Sequence, residues 1–292
     1  MSDQQSGLVI VDKPSGWTSH DVVGRMRRLA GTKKVGHAGT LDPMATGVLV
    51  LGINRATRLL GHLTMADKEY VGTVRLGQST VTDDAEGEVT ASASAAHLEE
   101  DAIRAILPAY TGRIMQVPSS VSAIKVDGVR SYAKVRSGEE VALKARPVEV
   151  STFEIDAVRH EGDLVDVDIR VVCSSGTYIR ALARDLGADL GVGGHLTMLR
   201  RTRVGGFGLS LARTLEQLES ELIVIGLDDV ARTSFASYDL GEREASDVRF
   251  GRALTGIQLG APGPVAVFDP AGEFLALYEQ RGGVAKPVAV FV

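Results

Sequence analysis

Apolar positions fall along this chain in short runs separated by polar loops. Leu8-Val9-Ile10-Val11 reads as a buried strand, closed by Asp12-Lys13-Pro14-Ser15-Gly16, whose Pro and Gly mark a loop. Ser19 is the predicted N-cap of a helix with Val22, Val23, Met26 and Leu29 on one face. Gly47 to Ile53 and Glu69 to Leu76 read as strands, and Ala95 to Leu107 as an amphipathic helix. Val165, Val167, Ile169, Val171 and Cys173 alternate with polar residues, the pattern of a half-buried strand. That strand passes through Ser174-Ser175-Gly176-Thr177 into a helix with Ile179, Leu182, Ala183 and Leu186 inward and Gly191 past its end. Thr214 with Gln217 forms a capping box.

The last sixty residues change character. An acidic stretch from Asp228 to Asp247 precedes three short strand-like runs at 265–268, 274–277 and 288–291, with a turn at Asp269-Pro270-Ala271-Gly272. The expected division is a body of residues 1–228 and a small β unit of 229–292.

Composition narrows the class. Over 292 residues, 44% are hydrophobic and 24% charged, as in ordinary globular proteins, and no apolar run approaches the ~20 residues of a membrane span. Met1 to Gln5 carries no basic, apolar leader. Cys173 is the single cysteine, which excludes an internal disulfide and a cysteine zinc site and suits a reducing compartment. A cytoplasmic protein is expected.

A net charge of −5 would repel a polyanion at long range, yet the charge is unevenly spread. Arg25, Arg27, Arg28, Lys33 and Lys34 stand between Val22 and Leu41 without an acid, and six arginines lie between Arg170 and Arg203. The acids gather elsewhere, at Asp83, Asp84, Glu86 and Glu88 and from Glu216 to Asp247. Such polarisation can lay cations along a phosphate backbone.

The segment Gly36-His37-Ala38-Gly39-Thr40-Leu41-Asp42-Pro43-Met44-Ala45-Thr46-Gly47 sets one carboxylate among small residues ahead of an apolar strand. Glycines permit close backbone approach to a ligand, and Pro43 fixes the turn after the acid. An isolated Asp-Pro is usually only a turn. This one resembles the catalytic motif of the TruB family of pseudouridine synthases. Asp12 to Asp21, Lys68-Glu69-Tyr70, Pro118 to Lys125, Ala145-Arg146-Pro147, Cys173 to Arg180 and Gly194 through Arg201 resemble further family motifs, in family order.

The resemblance implies an α+β pseudouridine-synthase fold: a mixed, mainly antiparallel sheet with helices, a central cleft and a small C-terminal PUA-like β domain. It implies isomerisation of the uridine at position 55, in the T loop of transfer RNA, to pseudouridine. Asp42 would be the catalytic carboxylate, with Arg180 pairing it and Tyr70 stacking on the base near the C5 proton step. Tyr178 and Leu199 would shape the pocket, His37 would hold the flipped base, and Lys13 and Lys125 would bind substrate. An insertion at about 120–146, rich in basic and aromatic residues, would close over the RNA. Isomerisation asks for no redox cofactor, and the six histidines are scattered without metal-ligand spacing. The expected partner is tRNA through its T arm, with no membrane, no metal, no cofactor, and a monomeric enzyme. A non-catalytic RNA-binding or tRNA-folding protein of the same fold is the alternative. A hydrolytic nucleosidase would need a second acid or a metal, and none stands near Asp42 in the sequence.

Overall fold

The computed structural model describes residues 5–121, 125–126, 129–130 and 143–292, the two short pairs by backbone alone. The chain opens with strands β1 (Gly7–Lys13), β2 (Val35–Ala38), β3 (Thr46–Ile53) and β4 (Lys68–Leu76). Two small hairpins follow, β5 (Gln78–Thr80) with β6 (Val89–Ser92) and β8 (Lys125–Val126) with β9 (Val129–Arg130), with β7 (Gly112–Gln116) between them. Long strands β10 (Arg146–Glu161), β11 (Leu164–Cys173) and β12 (Gly194–Val204) come next, then short β13 (Phe207–Gly208) and β14 (Ile225–Gly226).

These strands form one sheet in the order β14-β1-β3-β12-β4-β11-β10-β7, with β2 on β3 and β13 on β12. Every pairing is antiparallel except β3 with β12, a short parallel contact at Arg200↔Thr46 and Arg201↔Gly47. The sheet is therefore two antiparallel halves joined at a narrow seam. Gly47 makes the seam possible: it sits at φ +96°, and a Cβ there would come within 2.2 Å of the Arg201 carbonyl. The strand periodicities read from sequence follow from this arrangement, since the Val165–Cys173 side chains at alternate positions face the core.

Two elements differ from expectation. Thr18, not Ser19, caps the Ser19–Leu29 helix, in a capping box with Asp21. Ser19 is buried instead and bonds Leu41 on both its N–H and C=O. The Ala95–Leu107 helix is shorter, running from Glu100 to Ile106 and passing into a 3-10 turn. Ala95 is drawn out of helical geometry because its N–H bonds the Asp163 carbonyl, across the β10–β11 turn.

Strands β15 (Ser237–Asp239), β16 (Leu254–Thr255), β17 (Val265–Phe268), β18 (Phe274–Arg281) and β19 (Val284–Val290) form a second sheet ordered β15-β17-β18-β19-β16. It does not stand apart. Phe268, Phe274, Leu277 and Phe291 share a core with Leu8, Ile10, Val48, Val50 and Leu59 of the body. Arg55 donates to the Phe291 carbonyl and Arg58 to that of Val290.

Candidate active site

The loop from Gly39 to Ala45 leads into the seam and is clamped from three directions. From the first helix, the Ser19 hydroxyl accepts the Leu41 N–H at 2.9 Å and donates to the Leu41 carbonyl at 3.1 Å. From the end of β1, the Lys13 ammonium donates to the carbonyls of Pro14, Trp17 and Pro43 at 2.9, 2.7 and 3.1 Å. From β12, Arg201 donates to Val48 at 2.7 Å and Gly39 at 3.1 Å. Fixing the residues on either side of Asp42 fixes the carboxylate without touching it.

Lys13 is thus placed differently from expectation. All three of its N–H groups are spent on carbonyls and the residue is fully buried behind the loop, so it builds the loop rather than meeting substrate. Burial pulls its pKa down to about 8, against the opposing pull of the nearby Asp42 charge.

Arg180, in the first turn of the helix Ile179–Asp189, brings the charge partner. Its Nε lies 3.0 Å from an Asp42 carboxylate oxygen. The rest of the guanidinium is anchored from behind: Nη1 meets the Thr82 carbonyl at 2.7 Å and Asp84 at 3.3 Å, and Nη2 meets the Val121 carbonyl at 2.9 Å. Arg180 and Asp84 are almost wholly buried, whereas the Asp42 side chain keeps 39% of its exposure. The geometry is a buried cation held by one carboxylate so that it can present an edge to another.

Asp84 is the residue that sequence reading missed. It belongs to the acidic stretch that stands apart from the basic segments in sequence, yet the turn folds it inward, where the Thr82 hydroxyl and the Glu86 N–H donate to its carboxylate. Asp83 likewise faces Arg184, at 3.3 Å. The available signal was an unusual density of acids opposite an arginine-rich helix.

Asp42, Tyr70, Tyr178, Arg180 and Leu199 line one cavity of about 260 Å³, room for a single flipped base, together with Gly39, Lys68 and Arg201. Tyr70 is buried on β4, and burial raises its phenol pKa while the Arg201 guanidinium opposes the shift. Tyr178 is fixed by Gln116, which donates to its carbonyl at 3.0 Å and accepts its N–H at 2.9 Å. The Arg146 guanidinium lies over its ring, 5.1 Å from the centroid. His37 is on β2, outside the lining of this cavity, with its ring edge-on to His20 at 5.8 Å. Burial lowers its pKa, which favours the neutral imidazole. The Lys125 side chain lies outside the described residues, as do Tyr132, Lys134 and Arg136 of the insertion. Among the described residues no group of three His, Cys, Asp or Glu side chains is placed to hold a metal ion.

A single carboxylate, a charge partner and an aromatic wall around a base-sized cavity suit covalent or electrostatic work on one nucleobase. Residues 27–179 match the TruB family pseudouridylate synthase N-terminal domain. Residues 180–230 match the tRNA pseudouridylate synthase B C-terminal domain, and 235–292 the C-terminal domain of tRNA pseudouridine synthase II. The chain belongs to the TruB family. It is 62% identical to tRNA pseudouridine synthase B of Arthrobacter sp. (strain FB24) over 98% of this chain and 96% of that protein. It is 59% identical to the protein of that name from Streptomyces griseus subsp. griseus, over 98% and 97%. Among solved structures it resembles a chain of a Cbf5-Nop10-Gar1 complex with a TM-score of 0.74 and 27% identity, over 99% of this chain and 85% of that one. The mixed sheet with its C-terminal β unit is therefore the pseudouridine-synthase fold, as the TruB resemblance implied.

Proposed function

We propose that this TruB-family enzyme isomerises uridine 55 in the T loop of transfer RNA, acting as a monomer in the cytoplasm, with Asp42 as the catalytic carboxylate. The observation that carries the reading is the convergence of Asp42, Tyr70, Arg180, Tyr178 and Leu199 on one cavity, from four separate stretches of sequence. A uridine stacked in a folded loop cannot reach Asp42, so the base is extruded at a cost of a few kcal/mol and received against the Tyr70 and Tyr178 walls. Asp42 then acts near C1′ and C6, while Arg180 holds its orientation. Glycosidic cleavage and rejoining at C5 follow inside the cavity. His37 stands at the edge strand leading into the catalytic loop, where it supports the extruded conformation rather than the chemistry. Basic residues of the insertion and the C-terminal unit supply phosphate contacts outside the cavity. A bystander role for Asp42 in a tRNA-folding protein is the weaker reading, because such a protein has no use for a buried guanidinium anchored on Asp84 and presented to an accessible carboxylate in a cavity.

The test is incubation of unmodified tRNA transcript with enzyme, followed by chemical mapping of pseudouridine. Conversion at position 55 alone, abolished in Asp42→Asn with tRNA binding and circular dichroism retained, is the expected result. Loss of a nucleophile typically costs about 10⁴–10⁶ in rate. Conversion at another uridine, or turnover by the Asn variant within tenfold of the parent, overturns the assignment.

A further inference from the structure

One pair of cations in the cavity lies apart from the Asp42–Arg180 ion pair. Lys68 and Arg201 approach from adjacent strands, β4 and β12, and line the same cavity as Asp42. Both are nearly inaccessible to bulk water, at 6% and 1% of full exposure. They meet beneath Gly39: a Cβ built there would stand 3.5 Å from Lys68 Cε and 3.6 Å from Arg201 Nη1. The missing side chain leaves that floor open to whatever fills the cavity. The Lys68 ammonium donates to the carbonyls of Thr64 at 3.0 Å and Ala66 at 2.7 Å, its only protein acceptors among the described residues. A tetrahedral ammonium carries three N–H bonds, so one is left over. Tyr70 stands between the two cations on the same face of the sheet, two residues beyond Lys68 and directly paired with Arg201.

We propose that Lys68, backed by Arg201, is a catalytic residue that stabilises the negative charge of the uracil while it is detached from its ribose. The proposal rests on the pseudouridine synthase reading above. In that reaction the C1′–N1 bond breaks with its electron pair leaving on the base, so the charge spreads over N1, O2 and O4. C1′ is compensated by the Asp42 carboxylate or by loss of a ribose proton. The base turns, C1′ bonds to C5 as the Asp42–C1′ bond breaks or the ribose proton returns, the C5 proton departs, and N1 takes up a proton, which restores the original formula. Throughout that interval a free uracil anion occupies the cavity that Lys68 and Arg201 line. Two buried cations at the floor supply the opposite sign where the charge appears, and donors so desolvated act far more strongly than donors in bulk water. Lys68 moves no proton in this scheme. Its burial costs are partly evident in a pKa lowered to about 8, caused first by desolvation and next by the Arg201 charge, with Asp67 and Cys173 opposing.

The test compares two substrates: tRNA transcripts carrying uridine or 5-fluorouridine at the target position. Fluorine at C5 makes the departing uracil a weaker base and hence a more stable anion without protein help. Single-turnover loss of the N1-linked nucleoside is followed by digestion and chromatography, with saturating enzyme, for the parent, Lys68→Met and Lys68→Arg. Removing one charge-stabilising donor is expected to slow uridine by roughly 10²-fold. The same variant should slow 5-fluorouridine several-fold less, and Lys68→Arg should recover most of the rate on both. A variant that merely loosens the Thr64–Ala66 turn would slow both substrates by the same factor. Equal losses, or no loss at all, overturn the proposal. Failure of the parent enzyme to convert uridine would overturn the functional reading instead, so the two failures are distinguishable.

Discussion

Arg180 can hold Asp42 only because something holds Arg180. Its guanidinium is shared between an accessible carboxylate and a buried one, and the buried Asp84 is itself fixed by Thr82 and the Glu86 N–H. Asp84→Asn keeps the shape and removes the anchoring charge. The guanidinium then swings toward Asp42 or away from it, and a misplacement near 1 Å costs about 10²-fold in rate. Single-turnover rates should fall by that order, with an unfolding free energy lower by roughly 1–3 kcal/mol in urea titrations. A variant with parental rate would show that Arg180 is positioned by Thr82 and Val121 alone. The two buried lysines make a second prediction. Lys13 and Lys68 each have a folded pKa of about 8 against an ordinary 10.5. Above pH 8 the folded enzyme loses their protons while the unfolded chain keeps them, so the unfolded state binds more protons and stability from these groups rises with pH. Activity moves the other way, since the neutral amines loosen the Pro43 clamp and weaken the cavity floor. Between pH 8 and 9.5 the single-turnover rate should therefore fall while the thermal midpoint holds or rises. A rate loss that tracks unfolding would remove both lysines from the explanation.

At the scale of elements, the active site is a product of the seam where β3 and β12 run parallel for two residues. The seam needs a residue without a side chain at Gly47, whose φ of +96° and 2.2 Å approach to the Arg201 carbonyl leave no room for one. Gly47→Ala combines a backbone penalty of about 1–3 kcal/mol with overpacking of similar size. The variant should unfold at markedly lower urea and show weaker chemistry, because Arg201 also anchors Gly39. An unchanged urea midpoint would mean that the two half-sheets can separate at little cost. Strand β11 and the Ile179–Asp189 helix were legible in sequence because each carries an unbroken local period, whereas β10 and β12, whose registers shift within their pairings, were not legible as strands. Ser19 was misread as a cap because Thr18 and Ser19 have the same local chemistry; only the tertiary contact with Leu41 separates them. The Asp42 loop was legible through its glycines and its motif. Asp84 and Gln116 were not, since each acts on a residue far along the chain: Asp84 on Arg180, Gln116 on Tyr178. Long-range polar pairs leave no period for a sequence to display.

The whole molecule joins a catalytic body to a β unit through a common core of aromatic residues. Removing that unit outright would strip Phe268, Phe274 and Phe291 from Val50 and Leu59, so a truncation would report stability before it reported RNA binding. Its contribution to binding is better tested from its outer face. Phe250 is exposed at 74%, just past the Glu242–Arg249 helix, with the Arg252 guanidinium 5.2 Å from its ring centroid. An exposed aromatic beside an arginine suits stacking on an unpaired base plus one phosphate contact. Among the described residues Arg249 is committed to Asp269 and Glu273 and Arg252 to Asp247, so Arg252 is the freer of the two cations. If this face contacts tRNA outside the T arm, Phe250→Ala with Arg252→Ser should weaken binding of full-length tRNA several-fold. The slope of log affinity against log salt should flatten by roughly one unit, the release expected from one lost phosphate contact. A stem-loop carrying only the T arm cannot reach that face, so it should bind and react equally well with both proteins. The double variant touches no core residue, which keeps its thermal midpoint within about 2 °C of the parent for substitutions worth under 0.5 kcal/mol at the surface. Equal binding of full-length tRNA by the two proteins would confine recognition to the body, and weakened stem-loop turnover would mean that this face acts through the shared core instead.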